Sequence, residues 1–175
     1  MDIPNQTTNK ASGRGSRPAG RRGGNRGQME KPRSEFDHKV ISVRRVARVV
    51  AGGRRFSFSV VVVIGNRKGK VGVGLGKAGD TTLAIDKAMN AAKKALLTLP
   101  LTDVNSIPHQ TEAKFGSSTV EIRPAPGKGL VAGSAVRTVL DLAGIRDITA
   151  KVHSRSKNKL NIARATIIAL RALKV

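Results

Sequence analysis

The arginines and lysines of this chain recur beside glycines and at the ends of apolar runs. That placement suits one chemistry, the neutralisation of phosphate. Arg44, Arg45 and Arg48 precede Gly52-Gly53, and Arg54 and Arg55 follow at once. Asn66, Arg67 and Lys68 lie between Gly65 and Gly69, with Lys70 next and Lys77 further on. Later, Lys128 stands between Gly127 and Gly129, and Arg155, Lys157 and Lys159 alternate through a polar stretch. Guanidinium groups fork onto phosphate oxygens, and ammonium groups act as point charges beside them. Cations held at loop tips by a rigid scaffold fit an anionic polymer read by its backbone and shape. For the Lys128 loop and the 153–159 loop the competing reading is a solvated basic loop.

Other chemistries fail on the residues. GVGLGKAGDTT invites a nucleotide-binding reading, but a P-loop needs glycine where Val71 stands and a hydroxyl residue where Ala78 stands. The dinucleotide fingerprint needs glycine where Lys77 stands. His38, His109 and His153 are scattered, and neither H-E-x-x-H nor G-x-S-x-G occurs. No catalytic residue, metal site or cofactor is expected, and an enzyme is the weakest function class.

Composition agrees. The 175 residues hold 33 Lys and Arg against 11 Asp and Glu, a net charge of +22. Such self-repulsion calls for a polyanionic partner. The absence of cysteine excludes a disulfide framework and fits the cytosol. No apolar run approaches the ~20 residues that cross a bilayer, so no membrane role is expected. With four Phe and no Tyr or Trp, base stacking on aromatics is not the expected main binding mode.

The elements that must position these cations follow from periodicity. Residues 1–34 form a basic Gly/Arg-rich tail, with eight Lys and Arg against Asp2 and Glu30, net +6. It lacks the apolar residues needed to fold alone, and reads as a disordered segment that touches RNA or as a solubilising extension. Residues 35–100 form an RNA-binding domain of three strands and a helix, 101–108 a linker, and 109–175 a second domain. In the first strand Ile41, Val43, Ala47 and Val49 share an apolar face interrupted by Arg45. Ser42, Arg44, Val46, Arg48 and Val50 share the basic one. Gly52-Gly53 turns the chain. Phe56, Phe58, Val60, Val62 and Ile64 make one apolar face of the second strand, the two phenylalanines being read as core. Gly65–Gly69 is the second turn. In the third strand Val71, Val73 and Leu75 face one way and Gly72, Gly74 and Gly76 the other. The valines are expected under a helix capped by Asp80 and running to about Leu99. The glycines are expected to meet either RNA or packed protein. The second domain reads as strands over 111–115, 118–123 and 147–152. Its helices are one from Ser134, which can cap it, to Gly144, and a final one carrying Ile162, Thr166, Ala169, Leu170 and Leu173. Gly127-Lys128-Gly129 precedes the first of these helices as a candidate anion site.

The stretches RRVARVVAGGRRFSFSVVVVIG, GKVGVGLGKAGDTTLAIDKAMNAAKKAL, IPHQTEAKFG, RPAPGKGLVAGSAVRTVLDLAGIRDITAK and NIARATIIAL, in this order and spacing, closely resemble the bacterial small-subunit ribosomal protein family number five. The resemblance covers roughly residues 40–170 and leaves out the tail. It implies an α+β protein, with an N-terminal β-β-β-α domain similar to double-stranded-RNA-binding folds and a C-terminal β-α-β-α domain. It implies a cytoplasmic ribosomal role: binding small-subunit ribosomal RNA near the decoding side and the messenger RNA entry, beside small-subunit proteins four and eight. By resemblance, the hairpin loop from Val46-Ala47-Arg48 through Arg55 lies near the spectinomycin site. Gly129 and Arg137 occupy positions of the family's contact with protein four, which affects decoding accuracy. Two loops depart from the family pattern. Pro124–Gly129 is one residue shorter than the family's PAxxGTG loop, and Ser154–Asn161 is one residue longer than its GSxNPxN. Both keep basic charge. The rival reading is a free-standing RNA-binding or chaperone module, separable by co-sedimentation with small subunits.

Overall fold

The computed structural model describes residues 35–101 and 105–173; the expected tail and part of the expected linker lie outside them. The element order is β1 (Asp37–Val50), β2 (Gly53–Gly65), β3 (Lys70–Ala78), α1 (Thr81–Lys94), β4 (Leu97–Thr98), β5 (Thr111–Phe115), β6 (Ser118–Pro124), β7 (Leu130–Val131), α2 (Ser134–Ala143), β8 (Ile148–Val152) and α3 (Lys159–Arg171). The first sheet has the order β1-β2-β3-β4, the second β5-β6-β8-β7. The fold is α+β, an antiparallel sheet with a helix followed by a second sheet with two helices.

The run Val60–Ile64 is buried at every position. A strand covered on both faces needs no alternation of polar residues. Val60, Val62 and Ile64 pack with Ala84, Ala88 and Ala92 of α1. Val63 looks the other way, into a cluster with Val71, Val120, Ile122, Val136, Val139, Leu140 and Ile148. That second cluster runs without a break from the first sheet into the second, so the two sheets share one core.

Register corrects the expected faces of β3. Gly72, Gly74 and Gly76 pair with Ile64, Val62 and Val60, which places them on the α1 side. A Cβ on Gly72 would stand 2.5 Å from the Ala92 carbonyl oxygen, and on Gly74 and Gly76 closer still to the Ala88 and Ala84 oxygens. The glycine stripe therefore meets neither RNA nor the second sheet. It lets an alanine-faced helix lie almost on the strand backbone. Val71 and Val73 face the shared core instead.

The first strand is corrected as well. A bulge between Val40 and Ser42 shifts the register. It puts Val43, Arg45, Ala47 and Val49 on the α1 side, but beyond the helix's reach, and Val43 and Val49 are exposed. Phe56 is 50% exposed rather than core. The hairpin turn is Ala51-Gly52, since Val50 pairs with Gly53.

Asp80 caps α1, its carboxylate accepting from the Thr81 N–H at 2.7 Å and from the Thr82 hydroxyl. The helix ends at Lys94, not near Leu99. No Gly or Pro stops it there. Leu97 leaves to pair with Val71, and Leu99 is buried in the shared core. Burial of those leucines outweighs the propensity to continue. β7, absent from the expected β-α-β-α order, is a two-residue parallel partner of β8. The N-cap of α2 is Gly133 rather than Ser134, and Gly144 closes it in the left-handed conformation at φ 86°.

Candidate RNA-binding surface

β3 pairs with β2 only as far back as Phe58, opposite Ala78. The outer parts of β1 and β2 therefore project as a two-stranded arm ending at Ala51-Gly52. Register sets Arg48 opposite Arg55, and Arg44 opposite Ser59, which in turn pairs with Lys77. Residues paired across strands share a face, so Arg44, Arg48, Arg55 and Lys77 project from one side, away from α1. All four are exposed. From Lys39 to Gly79 the chain contains no Asp or Glu, so no acid on these strands neutralises the stripe. Arg45 and Arg54 lie on the opposite face of the arm. The Arg45 guanidinium sits over the Phe56 ring, 4.5 Å from its centroid.

The stripe continues toward α3. A cavity of about 130 Å³ separates Ser42, Arg44, Ser59 and Leu75 from Asn158 and Leu160 at the start of that helix. Asn158 caps α3, its Oδ1 accepting from the Leu160 N–H at 3.2 Å. Lys159 Nζ donates to the Ile41 carbonyl at 3.4 Å and ties the start of α3 to β1. Arg155 and Lys157 are exposed on the loop that leads into α3.

The second basic turn is elsewhere. β2 runs from the arm's tip to Gly65, 13 residues. At about 3.3 Å per residue the two turns stand roughly 40 Å apart. Nor is the Gly65–Gly69 turn a free tip. The Arg67 and Gly69 N–H groups each donate at 2.9 Å, to the Leu142 and Ala143 carbonyls of the last turn of α2. Asn66 Oδ1 accepts from the Lys68 and Lys70 N–H groups at 2.8 and 3.0 Å. Arg67 Nε pairs with Asp37 at 3.3 Å, while Lys68 and Lys70 stay exposed.

Two matches identify the chain. Residues 36–100 match the family described as Ribosomal protein S5, N-terminal domain, and residues 113–175 match Ribosomal protein S5, C-terminal domain. The chain is 48% identical over 155 residues to the small ribosomal subunit protein uS5 of Prochlorococcus marinus (strain MIT 9313), covering 88% of this chain and 73% of that protein. It is 47% identical over 156 residues to the uS5 of Trichormus variabilis, covering 89% and 88% of the two chains. The uS5c of Emiliania huxleyi is 49% identical over 143 residues, covering 81% and 89%. The chain belongs to the ribosomal protein S5 family. It is a structural, non-enzymatic constituent of the small ribosomal subunit, as the sequence reading expected.

Within the family frame, three positions lie differently from the sequence reading. Val46, Ala47 and Arg48 are strand residues of β1, not loop residues. The Gly127–Gly129 segment does not lead directly into a helix, because β7 intervenes. The Gly129 N–H is already donated to Asp147 Oδ1 at 3.2 Å, so it is not free for a phosphate. Lys128 is exposed on that loop. Arg137 is exposed on α2, where it lines a cavity of about 350 Å³ with Lys39, Lys159, Thr138 and Asp141.

Sequence reasoning missed Glu121. Its carboxylate is buried on β6 and gathers three donors: Gln110 Nε2 and Arg123 Nε at 2.5 Å, and His153 Nε2 at 2.7 Å. The Arg123 hydrogen bond, then that of His153, holds it below the usual carboxylate range. The one hint was an acid at an alternating position of a β-branched strand. Among the described residues no group of His, Asp and Glu could hold a metal ion, and no helix is long and apolar enough to cross a membrane.

Proposed function

We propose that the protein binds small-subunit ribosomal RNA through its arm, and so helps to organise the decoding region and the messenger RNA entry channel of cytoplasmic ribosomes. One observation carries this reading. Arg44, Arg48, Arg55 and Lys77 form an exposed, acid-free stripe across three strands, with Arg48 directly opposite Arg55. Like charges placed opposite each other are unfavourable without a counterion, and a phosphate bridging both relieves the repulsion. Contacts with small-subunit proteins four and eight belong to the same proposal. Gly129 and Arg137 are its candidate positions for protein four and for an influence on accuracy. Val46, Ala47 and Arg48 are its candidates for proximity to the spectinomycin site. The free basic groups of the second turn, Lys68 and Lys70, with Lys128, would serve RNA separately from the arm.

Filter binding to small-subunit ribosomal RNA tests the reading. Replacing Arg48 and Arg55 together by Ala is expected to weaken binding at least tenfold at fixed salt. Replacing Lys87, Lys93 and Lys94 of α1 is expected to change it less than threefold. Equal losses would show that total charge alone, not the arm, sets binding.

A further inference from the structure

Phe56 is the feature that phosphate binding leaves unexplained. The chain has four phenylalanines, and this one, on an outer strand segment, is half exposed. Ala78, opposite Phe58, is the last paired residue of β3, so no strand lies beside Phe56 on that side. On the β1 side its ring carries the Arg45 guanidinium, 4.5 Å from the centroid. Val43 and Val49, 51% and 75% exposed, extend the same face along the arm, and Arg54 opposite Val49 fringes it. An apolar patch fringed by Arg45 and Arg54, in a stretch with no acid from Lys39 to Gly79, favours an anionic partner over a basic one.

We infer that the α1-side face of the arm is a base-stacking platform for an unpaired nucleobase of RNA, with Phe56 as the stacking ring and Arg45 as its cationic partner. The inference rests on the arm being an RNA-binding element. The two faces would then have different tasks. The Arg44/Arg48/Arg55 face neutralises backbone, and the Phe56 face takes a base out of its stack. A base offers a flat π-face and sits beside the phosphate that the arginines attract. A guanidinium already stacked on one side of the ring adds cation–π attraction to the arrangement. Phe58, the next residue on this face, is less exposed, so the platform is a single ring wide.

The test uses the full-length protein and a single-stranded RNA 12-mer carrying one 2-aminopurine, titrated at fixed salt. Stacking quenches 2-aminopurine fluorescence. Wild-type protein is expected to quench it on binding. Phe56→Leu keeps the apolar bulk and removes the ring; it is expected to lose the quench and about tenfold in affinity, with the salt slope unchanged. Phe56→Tyr is expected to restore both. Arg48→Ala/Arg55→Ala is expected to lower the salt slope while keeping the quench at saturation. Full quenching and wild-type affinity in Phe56→Leu would overturn the platform and leave the arm intact as a phosphate binder. Wild-type affinity in the arginine variant would overturn the underlying reading instead. Undiminished RNA binding by Phe56→Leu together with loss of assembly into small subunits would assign the patch to a protein neighbour, which also overturns the platform.

Discussion

Glycine and glutamate show how single residues here are fixed by what approaches them. Gly74 is surrounded by backbone: a Cβ would meet the Ala88 carbonyl oxygen and lie 2.6 Å from the Ala92 nitrogen. Neither atom can move without shifting α1. Gly74→Ala is therefore expected to cost at least about 3 kcal/mol, the upper range for overpacking, read as a lowered urea midpoint. Around Gly79 the space is open, with nothing within 4 Å of where a Cβ would stand, so Gly79→Ala is expected to stay within about 0.5 kcal/mol of the parent. Glu121 responds to pH rather than to volume. Its folded-state pKa is lowered, first by Arg123 and then by His153. A depressed carboxylate contributes stability above its unfolded pKa and loses it as pH falls through the folded value. Wild-type stability is thus expected to drop more steeply below about pH 4.5 than that of Glu121→Gln, in urea melts taken at successive pH values.

At the scale of elements, the lock between the β2–β3 turn and α2 joins the two sheets. The last carbonyls of a helix have no intrahelical partners. Here Leu142 and Ala143 receive the Arg67 and Gly69 N–H groups. A Cβ on Gly144 would press on the Arg67 backbone, and Gly144 itself sits at φ 86°, where L residues are strained. Gly144→Ala is expected to expose the Arg67 and Gly69 amides, seen as faster hydrogen exchange at those two sites than at Val62 in the strand between the layers. This lock also explains what could be read in advance. The alternation from Phe56 to Ile64, the Asp80 cap and the Gly144 stop are local signals, and each marked an element that the structure contains. The direction of the glycine stripe is not local, because either face of β3 could meet a helix, and only the Gly72–Ile64 register decides. The β1 bulge, the early end of α1 and β4 follow from long-range burial of Ile41, Leu97 and Leu99, which leaves no punctuation in the sequence. Of the basic residues, composition could name them but not sort them. It took the register to set Arg44, Arg48, Arg55 and Lys77 in one stripe, and the turn's docking to set Arg67 apart.

Over the whole molecule the excess charge acts in two opposite ways. A net +22 on 175 residues pushes the isolated fold apart, and only two ion pairs between full charges, Arg67–Asp37 and Arg123–Glu121, are found among the described residues, with His153 hydrogen-bonded to Glu121 beside the second. Exposed charges more than about 10 Å apart are screened at 0.1 M salt. The free protein is therefore expected to gain thermal stability as sodium chloride rises from about 0.05 to 0.5 M, because screening removes repulsion that few native pairs offset. Its affinity for small-subunit ribosomal RNA is expected to fall over the same range, since each phosphate contact releases counterions. Replacing Arg44, Arg48, Arg55 and Lys77 together by Ala separates the two effects. Each lost contact lowers the slope of log affinity against log salt by about 0.7 to 0.9, so the variant's slope is expected to be shallower by roughly 3. The same variant, with four fewer like charges on one sheet face, is expected to melt higher than the parent at low salt and to show a weaker gain on adding salt. A variant that lost affinity with an unchanged slope, or that melted lower at every salt concentration, would place those four side chains in the packing of the arm rather than on phosphate.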